Sequence, residues 1–142
     1  MTANRERSIL WHGMFLFLLG LLTGLAQMHF ANPRMGLAAH LEGLMNGTFL
    51  IVLGAIWHHI RLPSGLSAGL YWSALYGTYA NWATTCMAAV AGTRSMTPLA
   101  GAGFSAASWK ESLVTLGFIS VGIAMLAAAA LALWGLRRVP AE

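Results

Sequence analysis

Four long apolar runs, separated by short polar segments, limit most strongly what this chain can fold into. They cover about residues 9–28, 36–60, 67–91 and 109–136. Each run is long enough for an α-helix to cross a bilayer core of about 30 Å, where the backbone must satisfy its own hydrogen bonds. The pattern therefore predicts an all-α integral membrane four-helix bundle, with a single transmembrane domain over residues 1–142.

The composition excludes several other classes of protein. Of the 142 residues, 58% are hydrophobic and 8% are charged, whereas a soluble domain carries about 25% charged residues. A soluble globular domain and a disordered chain are therefore excluded, and the dispersed basic residues predict no nucleic-acid partner. The single cysteine permits neither an intramolecular disulfide nor a cysteine-based metal cluster. We expect the first apolar run to be a retained helix, because it is too long for the core of a signal peptide.

The basic residues predict the orientation in the membrane. With four crossings, both termini and the second loop lie on the same side. That side holds five basic residues against three on the other, and an excess of basic residues is typical of the cytoplasmic side. Both termini are therefore predicted to be cytoplasmic. The five are Arg5, Arg7, Arg61, Arg137 and Arg138, and the three are Arg34, Arg94 and Lys110.

The second apolar run carries an unusual group of polar residues, with His40, Glu42 and Asn46 within seven positions. Ionisable residues inside a membrane usually mark a functional site. A histidine in this place either donates a hydrogen bond to a carbonyl of a neighbouring helix or binds iron as an axial ligand. Gly36 and Gly43, about one turn away on either side, would leave room for a porphyrin. Both interpretations of His40 stay open at this point.

Glu42 and Asn46 share a helix face that His40 does not, because two residues advance a helix by about 200°. For Glu42 the sequence predicts pairing with Arg34 or a backbone donor, or neutralisation by burial. Asn46, and Asn81 in the third run, are predicted either to make hydrogen bonds between helices or to hold a polar substrate atom. Glu42 is also the best candidate for the carboxylate of a proton-coupled transporter.

Two glycine pairs, Gly20 and Gly24 in the first run and Gly43 and Gly47 in the second, each have a spacing of four residues. This spacing favours close approach of two helix backbones in lipid. The less common alternative is a gap that admits a flat ligand.

Several segments carry a family resemblance. The stretch from Ala39 to Gly47 has the form Ala-His-x-x-Gly-x-x-Asn-Gly, and Tyr79-Ala80-Asn81 follows in the third run. Together they resemble the small four-helix membrane isomerases, namely the hydroxylaminobenzene mutases and the more distant styrene oxide isomerases. The segments Trp11–Gly20 and Asn32–Leu37 resemble the mutase branch in particular. The resemblance extends over all four runs.

This resemblance implies a homotrimeric, haem b-containing protein of the bacterial inner (cytoplasmic) membrane. By the match, His40 is the ligand of the ferric iron and Gly43 lies in the cofactor site. The family's two asparagines correspond to Asn46 and Asn81, which would orient the substrate.

The third run departs from the styrene oxide branch at one position of the site. That branch has a substrate-holding tyrosine four residues after the second asparagine, where this chain has Thr85. The departure argues against epoxide isomerisation, and Tyr79 or Trp82 is the predicted replacement. The predicted catalytic set is Asn46, Asn81, Thr85 and Tyr79.

The implied reaction is a redox-neutral rearrangement of hydroxylaminobenzene to 2-aminophenol, with ferric haem acting as a Lewis acid. One alternative is a haem-binding electron carrier or sensor that also uses His40. Such proteins usually supply two axial histidines, whereas His12, His58 and His59 lie near the ends of the runs. The other alternative is a small proton-coupled exporter that uses Glu42, although the runs lack inverted-repeat pairing.

Overall fold

Four helices make up most of the chain in a computed structural model that describes residues 2–137. In chain order they are α1 (Thr2–Ala26), α2 (Pro33–Ala55), α3 (Ser64–Ala91) and α4 (Ser108–Leu136). Short 3-10 helices, Gln27–His29 and Trp57–His59, follow α1 and α2. Strands are absent from this described part of the chain. The predicted all-α four-helix architecture is confirmed.

The helices fit a membrane bundle by their length and composition. Three segments are long and apolar enough to cross a bilayer, namely Asn4–His29, Pro33–Ala55 and Ser108–Leu136. The remaining helix, α3, has 28 residues and is therefore also long enough. It carries more polar side chains than the other three, and its crossing stays a prediction.

Two helix boundaries of α2 differ from the predicted ones. The helix begins at Pro33 rather than near residue 36, because the Asn32 side chain accepts hydrogen bonds from the backbone N–H groups of Arg34 and Met35. Asparagine is a favoured helix N-cap, and proline suits the first helical position. The helix ends at Ala55 rather than near residue 60, because the chain tightens there into the second 3-10 helix. In addition, α1 begins at the start of the described residues rather than near residue 9.

The helices pack in chain order, with α2 between α1 and α3, and with α4 against α3. Along α4 the buried residues recur every seven positions and form one narrow seam. They are Val114, Val121, Ala128 and Gly135. The rest of α4 is mostly exposed and apolar, which suits contact with lipid.

The loops and termini divide between the two ends of the bundle. At one end the Arg5 guanidinium donates to Ser67 Oγ at 3.1 Å, and the Arg61 N–H donates to the Gly135 carbonyl at 3.0 Å. At the other end the Asn32 side chain donates to the Ala100 carbonyl at 2.9 Å. The described basic residues are therefore grouped by end as the orientation prediction requires. Arg138 lies outside the described residues, and the cytoplasmic placement of the termini stays a prediction.

Candidate functional site

Glycines bring the backbones of α1 and α2 into direct contact. A Cβ atom on Gly20 would lie 2.7 Å from the backbone nitrogen of Leu44, and one on Gly47 would lie 2.6 Å from that of Phe17. Both distances are far below an ordinary van der Waals contact. The packing interpretation of these glycines is therefore confirmed. Gly43 also lies in this contact, where its Cα faces Gly20 rather than open space.

His40 occupies the space that Gly24 leaves free. A Cβ on Gly24 would lie 2.6 Å from His40 Nδ1, and the same Nδ1 lies 2.8 Å from the Gly20 carbonyl oxygen. A carbonyl only accepts hydrogen bonds, so Nδ1 must carry the proton. In a neutral imidazole Nε2 then keeps its lone pair.

This hydrogen bond agrees with both interpretations of His40. It is the predicted bond to a carbonyl of a neighbouring helix. It is also the bond through which metal-binding histidines orient their ring, with the other nitrogen directed to the metal. Within residues 2–137 no hydrogen bond uses His40 Nε2. The arrangement therefore leaves one nitrogen donor available.

Within residues 2–137, no group of three histidine, cysteine, aspartate or glutamate side chains could hold a bare metal ion. A metal at His40 would therefore require further ligands from a prosthetic group or from another molecule.

The polar residues Glu42, Asn46 and Asn81 form a second cluster, which joins α2 to α3. Glu42 Oε2 accepts hydrogen bonds from Asn46 Nδ2 at 3.0 Å and from Asn81 Nδ2 at 2.5 Å. The predicted pairing of Glu42 with Arg34 is wrong, because the Arg34 guanidinium donates to the Ala102 carbonyl instead. The predicted backbone donor is likewise replaced by the two side-chain amides.

The structure brings the two asparagines together but directs His40 elsewhere. His40 faces α1 through Gly20, whereas Glu42 and Asn46 face α3 through Asn81. The two directions agree with the angle of about 200° between positions 40 and 42 on a helix. Within one chain, His40 and Asn46 therefore lie on different faces of α2, and Asn81 of α3 meets the face that carries Asn46.

The other predicted site residues already have partners within the chain. Thr85 is 3% exposed, and its hydroxyl donates to the Asn81 carbonyl at 2.8 Å. Tyr79 Oη lies 3.0 Å from His12 Nδ1. Trp82 Nε1 donates to Thr23 Oγ1 at 3.0 Å. The tyrosine and the tryptophan therefore attach α3 to α1.

Sequence reasoning did not identify Thr23, which joins two helices at the level of the glycine contact. Its hydroxyl donates to the Leu19 carbonyl at 2.8 Å and accepts the bond from Trp82. The signal was present, since a lone threonine beside Gly24 interrupts an otherwise aliphatic run.

Comparison with known proteins assigns the chain to a family. The family profile described as styrene oxide isomerase matches residues 5–137. The chain belongs to the styrene oxide isomerase family. Two relatives come from Ectopseudomonas oleovorans. Hydroxylaminobenzene mutase HabB is 46% identical over 142 residues, covering 99% of this chain and 86% of the relative. Hydroxylaminobenzene mutase HabA is 41% identical over 127 residues, covering 89% of this chain and 94% of the relative.

Membership of the styrene oxide isomerase family and these relatives confirm the predicted resemblance, and they identify the chain as an isomerase. No solved structure matches the chain.

Proposed function

We propose that this isomerase converts hydroxylaminobenzene to 2-aminophenol, with a ferric haem b bound through His40. The observation that carries the proposal is the bond from His40 Nδ1 to the Gly20 carbonyl at 2.8 Å. This bond leaves Nε2 as a nitrogen donor on the half-buried ring of His40. The names of two relatives over 40% identical support the substrate.

His40 would hold the haem iron, and the residues around its ring suit that role. The Gly20 carbonyl fixes the tautomer and orients the ring, and Gly24 provides the space that the imidazole occupies. When bound, ferric haem supplies a Lewis acid that polarises the N–O bond of the substrate. The rearrangement is redox-neutral, so no reductase partner is required.

The asparagines and the apolar surroundings would direct the rearrangement. Asn46 and Asn81 offer amide groups that orient the hydroxylamine nitrogen and oxygen. Apolar side chains of the bundle exclude bulk water, which would otherwise capture the electron-poor ring at the para position. Overall the N–O bond breaks and a C–O bond forms at the neighbouring ortho carbon. That carbon loses a proton and the nitrogen gains one, which gives 2-aminophenol.

A homotrimer would complete this site. Within one chain, His40 faces α1, whereas Asn46 and Asn81 meet between α2 and α3. A substrate that contacts both groups therefore requires a second copy nearby. The outer face of α2 is apolar and exposed at Leu37, Leu41, Met45 and Val52. We place this trimer in the bacterial inner membrane with both termini in the cytoplasm.

The test compares purified wild-type protein with His40→Ala, using His58→Ala as the matched control because His58 is exposed at the end of the bundle. Wild type and the control are expected to have a Soret absorbance band and to form 2-aminophenol. His40→Ala is expected to lose both. A colourless wild-type protein with full turnover, or a fully active His40→Ala protein, would overturn the proposal. A change in iron oxidation state coupled to a partner would favour the electron carrier instead.

A further inference from the structure

The carboxylate of Glu42 limits how the two asparagine amides can be oriented. A carboxylate accepts hydrogen bonds and donates none, so a side-chain amide must face it with nitrogen. The nitrogens of Asn46 and Asn81 lie 3.0 Å and 2.5 Å from the same atom, Oε2. Even a protonated acid donates a single proton, so at least one amide nitrogen faces Glu42 in either state.

Reversing either amide would be costly. The Oδ1 atom would then approach Oε2, and two acceptors without a proton between them repel each other. The site is also shielded, since Asn46 is only 6% exposed, and polar groups left unpaired in such surroundings are unfavourable. No ion pair to Glu42 is present among residues 2–137 that would compete with the amides. An ionised Glu42 therefore fixes the orientation of both amides, and a protonated Glu42 fixes that of at least one.

The opposite ends of these amides remain available as acceptors. In the described part of the chain, no hydrogen bond uses Oδ1 of Asn46 or Asn81. Neither Oδ1 is among the fully buried polar atoms that lack a partner there. Each oxygen therefore keeps some exposed surface, at which it can accept an N–H or O–H group of a ligand.

We propose that Glu42 is a specificity-determining positioning residue, which presents Asn46 and Asn81 to the substrate as acceptors. This inference rests on the proposed function, because it assigns the substrate class of that site. An arylhydroxylamine brings N–H and O–H donors, whereas an epoxide brings only an acceptor. Glu42 therefore selects arylhydroxylamines over aryl epoxides. Without the carboxylate, either amide can turn and donate its N–H groups to an epoxide oxygen.

The experiment measures kcat/KM for hydroxylaminobenzene and for styrene oxide in wild type, Glu42→Leu and Glu42→Gln. Ser73→Ala is the matched control, because Ser73 lies on α3 and its hydroxyl donates to the Leu70 carbonyl of its own helix. The ratio of the two kcat/KM values is expected to fall about tenfold or more in Glu42→Leu, the effect of reversing one or two hydrogen bonds. Glu42→Gln retains an oxygen that accepts both bonds, so its ratio lies nearer to wild type. Ser73→Ala keeps the wild-type ratio.

A second measurement follows binding without turnover. Isothermal titration of the purified protein in detergent with aniline, an N–H donor, and acetophenone, an acceptor only, gives the preference directly. Wild type is expected to prefer aniline, and Glu42→Leu is expected to lose this preference. If Glu42→Leu does not fold, Glu42→Ala takes its place in both measurements.

The outcomes separate this inference from the proposed function. The role of Glu42 is overturned if Glu42→Leu keeps both the wild-type kcat/KM ratio and the preference for aniline. If wild type converts hydroxylaminobenzene in that case, the proposed function still stands. A wild type that does not convert hydroxylaminobenzene overturns the proposed function. In that case the binding measurement still tests the orientation of the amides. Loss of the aniline preference in Glu42→Leu supports that orientation, and an unchanged preference contradicts it.

Discussion

Replacement of Gly20 by alanine tests the contact on which the α1–α2 packing depends. The new Cβ would lie 2.7 Å from the backbone nitrogen of Leu44 and 2.8 Å from the carbonyl carbon of Gly43. Non-bonded heavy atoms prefer separations of about 3.5–4.0 Å. Both neighbours are backbone atoms and have no rotamer by which to move away. The two helices must therefore separate locally by roughly 1 Å, as this difference in distance requires.

We expect Gly20→Ala to lower the free energy of unfolding by about 2–3 kcal/mol, the upper part of the range for overpacked sites. The higher helix propensity of alanine offsets at most about 1 kcal/mol of this loss. The displacement also moves the Gly20 carbonyl away from His40 Nδ1. Binding at His40 is therefore expected to weaken together with stability.

The assay is unfolding in detergent micelles by added sodium dodecyl sulfate, followed by circular dichroism. Gly122→Ala is the matched control, because no atom lies within 4 Å of the Cβ that it adds on α4. The control is expected to change stability by no more than about 0.5 kcal/mol. Equal unfolding midpoints for the two variants would refute the close contact of α1 with α2.

Three further substitutions test other contacts. Asn32→Ala removes the cap of α2 and is expected to cost about 1–2 kcal/mol of unfolding free energy, with Asn32→Asp, which keeps the capping oxygen, losing less in the same assay. Tyr79→Phe removes the bond to His12 and is expected to lower the free energy of unfolding by about 0.6 kcal/mol. The ratio of ortho to para product, measured by chromatography, is expected to stay unchanged. Glu111→Gln weakens the bonds to the backbone N–H groups of Arg94 and Ser95, so amide hydrogen exchange there is expected to become faster; unchanged exchange would contradict this role.

The helices themselves are largely predictable, because hydropathy is a local property of the chain. Each of the four apolar runs is a helix in the structure, and the C-terminal ends of α3 and α4 agree with the prediction. The start of α2 was predicted near residue 36, whereas the helix begins at Pro33. Its position depends on the Asn32 cap, which hydropathy does not detect.

The sequence indicated a polar group on α2 but not how its members are arranged. It singled out His40, Glu42 and Asn46 because polar groups are unfavourable in lipid. Neither partner predicted for Glu42 is the observed one, since Asn81 is 39 residues away and meets Glu42 only through the register of α2 against α3. It likewise left the orienting partner of His40 open, because Gly20 lies on another helix.

The sequence by itself determined that this chain forms a bundle of membrane helices with a polar group on the second helix. Length and hydropathy are sufficient for that conclusion, because a lipid bilayer requires helices that satisfy their own backbone. Only the tertiary structure decided that His40 faces α1 while Glu42 joins Asn46 to Asn81. Those partners depend on the rotation and register of α2 between its neighbours. On the α1 side, the backbone contact at Gly20 and Gly43 fixes the approach of the two helices.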